Sequence, residues 1–482
     1  MLMADPFPPL KPSQPVPRPL PLAGRRVLVL GLGDTGLAVA RWVARERGLP
    51  RVADTRAVPP RADDLRRALP DAELHCGAFT AQLLEGVDLL VPSPGLSLDE
   101  PLLQAALARG IPIAGEIELF AWALGSLNPG SERAKLVAVT GTNGKTTVAA
   151  LTGNLLRAAG IDCEVAGNIG PAALQALAAR LDARQLPAAW VLELSSYQLE
   201  TTWTLAPDAA AMLNLSEDHL DRYASLADYG AAKERIFTNA AMQVLNRDDA
   251  RSLAMAVPGR RRLSFGLGAP TREDDFGLVA ADGEQWIAQG AERLVATREL
   301  QIHGAHNTAN AMAAAALAGA AGASREAIRA GLRSFRALPH RLERIGTIAG
   351  VEYFDDSKGT NVGATLAALQ GLDRPVVLIL GGEGKGQDFT PLAAAVARHA
   401  TRVLLIGRDA PRIAAALDAG GVPAVIPVER CTTLEDAVRA AARAARPGDA
   451  VLLSPACASF DMFRDYRERG ERFAQAVRAL AK

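Results

Sequence analysis

The chain has 482 residues, 49% of them hydrophobic and 22% charged, and its 53 Lys+Arg balance 53 Asp+Glu. Such a length fits about three domains of ~150 residues with separate cores, and no apolar run approaches the ~20 residues needed to span a bilayer. The charge balance excludes a global field that would gather nucleic acid or an acidic membrane surface, so any anion site must be local.

Four cysteines, Cys76, Cys163, Cys431 and Cys457, have neither metal nor redox spacing and read as reduced thiols of a cytoplasmic enzyme. The opening stretch, residues 1–22, is proline-rich and lacks the charged and apolar regions of a secretory signal. It reads as a mobile, polyproline-like tail. Arg26–Leu30 (RVLVL) then predicts a buried strand running into Gly31-Leu32-Gly33-Asp34-Thr35-Gly36 and a helix through Arg47. Asp54 follows about twenty residues on, where a dinucleotide fold places its ribose-binding acid. The loop alone suits NAD or another diphosphate, such as that of a UDP-sugar. Arg56 reads either as a counter-charge for that diphosphate or as a solvated surface arginine. Val87–Val91, leading to Pro92-Ser93-Pro94-Gly95, and Ile111–Ile113 predict two further strands of a domain over 23–120.

A second α/β unit, 121–337, starts at LVAVTGTNGKTT. Leu136–Thr140 predicts a strand, Gly141-Thr142-Asn143-Gly144 a loop whose N–H groups face phosphate, and Lys145-Thr146-Thr147 the start of a helix. Val139 stands where the usual phosphate-loop pattern has its first glycine. Trp190–Leu194, Ala210–Leu215 and Val244–Asn246 predict further strands of a mostly parallel sheet. Asn168, Glu193, Asp218 and His219 gather just past strand ends. A buried carboxylate there is costly without a cation, which makes Glu193 a candidate metal ligand; capping by Ser195 and Asp218 is the blander alternative. Residues 261–304 predict a small β-excursion without chemistry. Asn307 and Asn310, three apart on one helix face, suit either a planar base or, for Asn307, an N-cap.

The third unit, 338–482, repeats the strand–loop–helix pattern. Tyr353–Asp356 ends in the loop Asp355–Asn361, and Pro375–Leu380 in GGEGKG with Lys385. Val403–Ile406 follows, and Ala450–Leu453 ends in SPACAS. The whole predicts an α/β chain of three domains, each a mostly parallel sheet flanked by helices: Rossmann-like, phosphate-loop-type, Rossmann-like.

GTNGKTT resembles the loop of the Mur ligase family and its folylpolyglutamate synthase relatives. ELSSYQLETT, NLSEDHLDRY, LPHR, DDSKGTNVGAT and LLSPACASFDMF resemble the branch of that family that adds D-glutamate. The resemblance implies an ATP-dependent ligase joining D-glutamate to UDP-N-acetylmuramoyl-L-alanine, cytoplasmic and monomeric, with no nucleic-acid or membrane partner. It also assigns the first glycine loop to UDP. By motif matching, Asp34, Thr35, Asp54, Thr55, Arg56 and Gly95 resemble uridine-nucleotide contacts, with Asn168 and His219 at the acyl end. Gly141–Thr147, Asn307, Asn310, Arg341 and Asp356 match the ATP positions. Lys358, Thr360, Lys385, Ser459, Phe460 and Tyr466 match the D-glutamate pocket. Two Mg²⁺ sites are implied, one at Thr146 and Glu193, the other at His219 and a carbamylated Lys233. Lys145, His219, Lys233 and Lys358 are the implied catalytic residues.

Overall fold

The computed structural model describes residues 17–127, 133–219 and 221–480. Most of the expected proline tail lies outside that range, but Leu22, its last residue, is buried in the first core. Three sheets follow in chain order. The first contains β1 (Arg26–Leu30), β2 (Leu49–Asp54), β3 (Glu73–Cys76) and β4 (Leu89–Pro92) in the order β3-β2-β1-β4, all parallel. Ile111–Ile113, expected as a strand, supplies only a single bridge, Leu90 to Ile113. Pro112 interrupts it, because proline has no N–H to extend a ladder.

The central sheet joins β5 (Lys135–Thr140), β6 (Cys163–Gly167), β7 (Ala189–Glu193), β8 (Ala209–Met212) and β9 (Met242–Asn246) to β10 (Arg261–Phe265), β11 (Phe276–Ala281), β12 (Glu284–Gln289) and β13 (Glu292–Ala296). Its order is β13-β12-β11-β10-β9-β8-β5-β7-β6. The 261–304 excursion is thus an extension of this sheet: β10 pairs parallel to β9, while β11, β12 and β13 run antiparallel as a meander. The third sheet orders β14 (Glu343–Ile348), β15 (Val351–Asp355), β16 (Val376–Gly381), β17 (Ala400–Ile406), β18 (Val428–Arg430) and β19 (Ala450–Leu453) as β14-β15-β19-β16-β17-β18. Only β14 runs antiparallel.

Helices flank each sheet, so both faces of the central strands are buried and their sequences are continuous apolar runs. The first and central sheets share one apolar cluster: Val39, Trp42 and Phe120 pack into the same core as Leu174, Leu177 and Trp190. The helix Glu116–Leu127 bridges them, so the expected junction at 120/121 falls inside an element. Its Glu118 is fully buried and accepts from Trp122 Nε1, Trp203 N, Thr204 N and Thr204 Oγ1, which fixes the two units together. The third domain keeps cores of its own.

Candidate active site at the three strand edges

The first edge is a cleft of about 330 Å³ lined by Gly31, Gly33, Asp34, Thr35, Asp54, Thr55, Arg56, Phe79, Ser93, Gly95 and Leu96. A Cβ on Gly36 would lie 1.9 Å from the Gly31 carbonyl oxygen, so only glycine lets the loop fold this tightly onto its helix. Arg56 is half exposed but not free: its Nε and Nη2 donate to Asp54 at 2.8 and 2.6 Å. Asp54 also accepts from Leu32 N at 2.7 Å. The Arg56 bonds, partly opposed by burial, pull the Asp54 pKa down to about 2. Asp34 pairs with Arg61 at the rim.

At the central edge the glycine loop closes on itself. Gly144 sits at φ +85° immediately before the helix Lys145–Ala158, and a Cβ there would lie 2.4 Å from Asn310 Oδ1. Lys145 Nζ donates to the carbonyls of Gly141 and Thr142 at 2.8 and 2.7 Å. Lys233 Nζ donates to the same Gly141 carbonyl at 2.9 Å and lies 4.5 Å from the Tyr229 ring centre. Lys233 is 1% exposed. Burial, reinforced by Lys145, drives its pKa well below the ordinary lysine range. No carboxylate stands within ion-pair distance of either ammonium among the described residues. Lys233 thus faces inward from its helix.

Glu193, the last residue of β7, is fully buried. Asn168 Nδ2 donates to its Oε1 at 2.8 Å, and Oε2 has no partner. An unsatisfied buried carboxylate oxygen beside a phosphate loop fits a hard cation with oxygen ligands. His219 is held at φ +57° by a turn whose carbonyl accepts from Arg222 N and Tyr223 N. Burial lowers its pKa, Asp218 opposes, and Lys385, Lys145 and Lys233 reinforce, leaving a neutral imidazole at pH 7. Ser195 is a capping-box residue of Ser196–Leu199, whereas Asp218 accepts from His219 N and from Asn361 Nδ2. Asn307 does not cap its helix; Gly304 occupies that position. Asn310 Nδ2 donates to Asn307 Oδ1 at 3.2 Å, so both amides share the face beside Gly144.

The third edge lies against the central one. Asn361 exchanges amide hydrogen bonds with Asn143 of the glycine loop at 3.3 and 3.1 Å. Lys358 Nζ lies 4.2 Å from the Tyr466 ring centre, and burial, with Arg341 and Lys145 adding to it, lowers its pKa to about 8. Asp356 accepts from Ser454 Oγ at 2.7 Å and Leu342 N, and burial raises its pKa to about 7. Arg341 is felt by both Glu193 and Asp356. Lys385 sits at φ +49° in its glycine loop, Thr360 N donates to Lys358 O, and Ser459 is 2% exposed. Phe460 is 66% exposed. One residue that sequence reasoning missed is Arg469, 1% exposed, which donates to Ser357 Oγ and O and to the Cys457 and Ala458 carbonyls. It stitches the DDSKGT loop to SPACAS across more than a hundred residues, a link no local motif announces.

The chain matches three family descriptions in order: "Mur ligase MurD-like, N-terminal domain" over residues 25–115, "Mur ligase middle domain" over 139–318, and "Mur ligase, glutamate ligase domain" over 340–457. It is 54% identical over 461 residues to the UDP-N-acetylmuramoylalanine–D-glutamate ligase of Nitrosospira multiformis, covering 95% of this chain and 96% of the relative. The chain belongs to the Mur ligase family.

As a Mur ligase it is an ATP-dependent amide-forming enzyme of peptidoglycan precursor synthesis. Two solved structures share the fold. A pseudomurein peptide ligase type C from Methanothermus fervidus superposes with a TM-score of 0.59 at 18% identity, covering 95% of this chain and 100% of that one. The UDP-N-acetylmuramate–alanine ligase of Thermotoga maritima gives 0.58 at 20%, covering 94% and 99%. Among the described residues no helix is long and apolar enough to cross a membrane.

Proposed function

We propose that this Mur ligase joins D-glutamate to UDP-N-acetylmuramoyl-L-alanine at the expense of ATP, through an acyl phosphate. The observation that carries the reading is the convergence of Lys145, Lys233 and the orphaned Glu193 Oε2 around the Gly141 loop, with neutral His219 alongside.

A carboxylate is a poor electrophile because attack adds charge to an anion with no viable leaving group. Phosphorylation by ATP removes that obstacle. In this reading the Gly141–Thr147 loop cradles the triphosphate, Lys145 leaves the Gly141 and Thr142 carbonyls to offset charge on the transferring phosphoryl group, and Asn307 and Asn310 face the base. Arg341 and Asp356 approach from the third domain. Thr146 and Glu193 would hold one Mg²⁺, and His219 with a carbamylated Lys233 a second. Bound there, the metal supplies neutralisation of phosphoryl oxygen charge. Carbamylation of Lys233 also answers a local problem: two lysine amines share the Gly141 carbonyl with no anion in contact, burial favours the neutral amine of Lys233, and an N-carboxylate replaces it with an oxygen ligand.

The cleft of Asp34, Thr35, Asp54, Thr55, Arg56 and Gly95 takes the uridine nucleotide, and Asn168 and His219 orient the alanyl carboxylate. Lys358, Thr360, Lys385, Ser459, Phe460 and Tyr466 take D-glutamate, whose amine attacks the acyl carbon and expels phosphate. Closing the third domain over this intermediate keeps water away from it. The enzyme acts as a monomer in the cytoplasm. Phosphate release measured with ATP, Mg²⁺ and UDP-N-acetylmuramoyl-L-alanine, while the amino acid is varied, tests the reading. Strict dependence on D-glutamate supports it; equal release with L-glutamate or another amino acid overturns it.

A further inference from the structure

The wall of the first-domain cleft that faces the central domain is the loop after β4, and a central-domain side chain holds it. Arg222 Nη2 donates to the Leu96 carbonyl at 2.9 Å, and Nη1 reaches the Gly95 carbonyl at 3.4 Å. The same Nη2 is paired with Glu200 at 2.8 Å, with the two side chains only 14% and 16% exposed. The guanidinium also lies 4.8 Å from the centre of the Tyr197 ring.

A half-buried arginine that stacks, pairs and donates to two carbonyls of another domain is held in one geometry, because each contact fixes the plane of the others. Its other end reaches the acyl site by two routes. The Arg222 amide donates to the His219 carbonyl at 2.9 Å, closing the turn that sets His219 at its positive φ. The Tyr197 ring, beneath the guanidinium, packs edge-on to the His219 imidazole at 5.0 Å and stacks on Tyr223 at 6.0 Å. Tyr229 then joins His219 to the Lys233 ammonium.

We infer that Arg222 is a positioning residue that fixes the span between the nucleotide cleft and His219, and so selects a nucleotide-linked acyl substrate of the right length. The identity of that substrate rests on the function proposed above; the tether itself does not. A ligand gripped at one end by the Gly95–Leu96 wall presents its carboxylate correctly only if that wall and His219 keep a fixed separation, and Arg222 bonds to both.

The test compares R222Q and R222K with the wild type. In R222Q, kcat/KM for UDP-N-acetylmuramoyl-L-alanine falls about tenfold to a hundredfold, mostly through KM, while KM for ATP stays within about twofold, as weakened two-ended binding of the UDP substrate with an intact ATP site requires. R222K recovers part of the loss, since lysine can pair with Glu200 but cannot stack and donate to two carbonyls at once. If R222Q does not fold, E200Q, which keeps the guanidinium but removes its counter-charge, shows the same selective rise in smaller degree. An unchanged KM for the UDP substrate, or a rise in every KM together with a lower melting temperature, overturns the inference. Amide exchange over residues 93–97 in the substrate-free protein gives a readout independent of the reaction. It accelerates in R222Q with β1 and β5 unchanged if the tether is real, and stays at the wild-type rate if it is not. A wild type inactive with this substrate would refute the proposed function, and the exchange result would still decide the tether.

Discussion

Asp54 is 2% exposed yet anionic, because Arg56 and the Leu32 amide satisfy it. Its folded pKa is depressed below the unfolded value, so its contribution to stability is complete above about pH 4 and disappears as the pH falls through about 2. Arg56 is half exposed, and screening reduces that contribution to about 1–2 kcal/mol. The Asp54→Asn variant should therefore unfold at lower urea than wild type at pH 7, with the two curves converging near pH 2. Lys358 works in the opposite sense: its pKa, lowered to about 8, means that positive charge is lost as the pH rises through that value. The expected outcome is a KM for D-glutamate that climbs above pH 8 and, in Lys358→Arg, stays flat. Lys145 and Glu193 were legible from their neighbours, since a glycine loop or a strand end announces its own chemistry. Arg222, Arg469 and Asn361 were not, because their partners lie far away in the chain and only the fold brings them together.

The loop from β5 to the helix Lys145–Ala158 depends on Gly144. Alanine there takes a left-handed strain of roughly 1–2 kcal/mol and adds a methyl within contact of Asn310. Gly144→Ala should bind ATP measurably more weakly by titration calorimetry while the first-domain cleft keeps its affinity for UDP. Asn361 has two duties, capping the helix Val362–Gln370 through Ala364 N and meeting Asn143. Asn361→Asp, which keeps the cap acceptor and loses the amide donor, should retain the melting temperature and lower kcat; Asn361→Ala should lose about 1 kcal/mol as well. Strands with continuous apolar runs were readable to within two or three residues, Arg26–Leu30 and Ala450–Leu453 at both ends. The short or partly exposed strands β3, β6, β14 and β18 were not, because edge strands carry too little burial to leave a period in the sequence.

At the scale of the whole molecule, the first two domains share a core and the third keeps cores of its own, so movement of the third would break the fewest buried contacts. Its contacts with the central domain include the Asn143–Asn361 amide pair and the close approach of Gly304 to Gly371. In the proposed function the labour divides accordingly: the fused pair of domains sets the distance from nucleotide cleft to phosphate loop, and the third domain brings the amine and the covering surface. Three strand–loop–helix units were legible from the sequence, but which domains are fused could not be read from it, since core sharing depends on long-range packing. In the proposed mechanism the alanyl carboxylate is phosphorylated before the amine attacks. Synthesis of the product from UDP-N-acetylmuramoyl-L-alanine labelled with ¹⁸O in its carboxylate measures this directly. The expected result is a single labelled oxygen in each phosphate released; phosphate carrying no label would rule out the acyl phosphate.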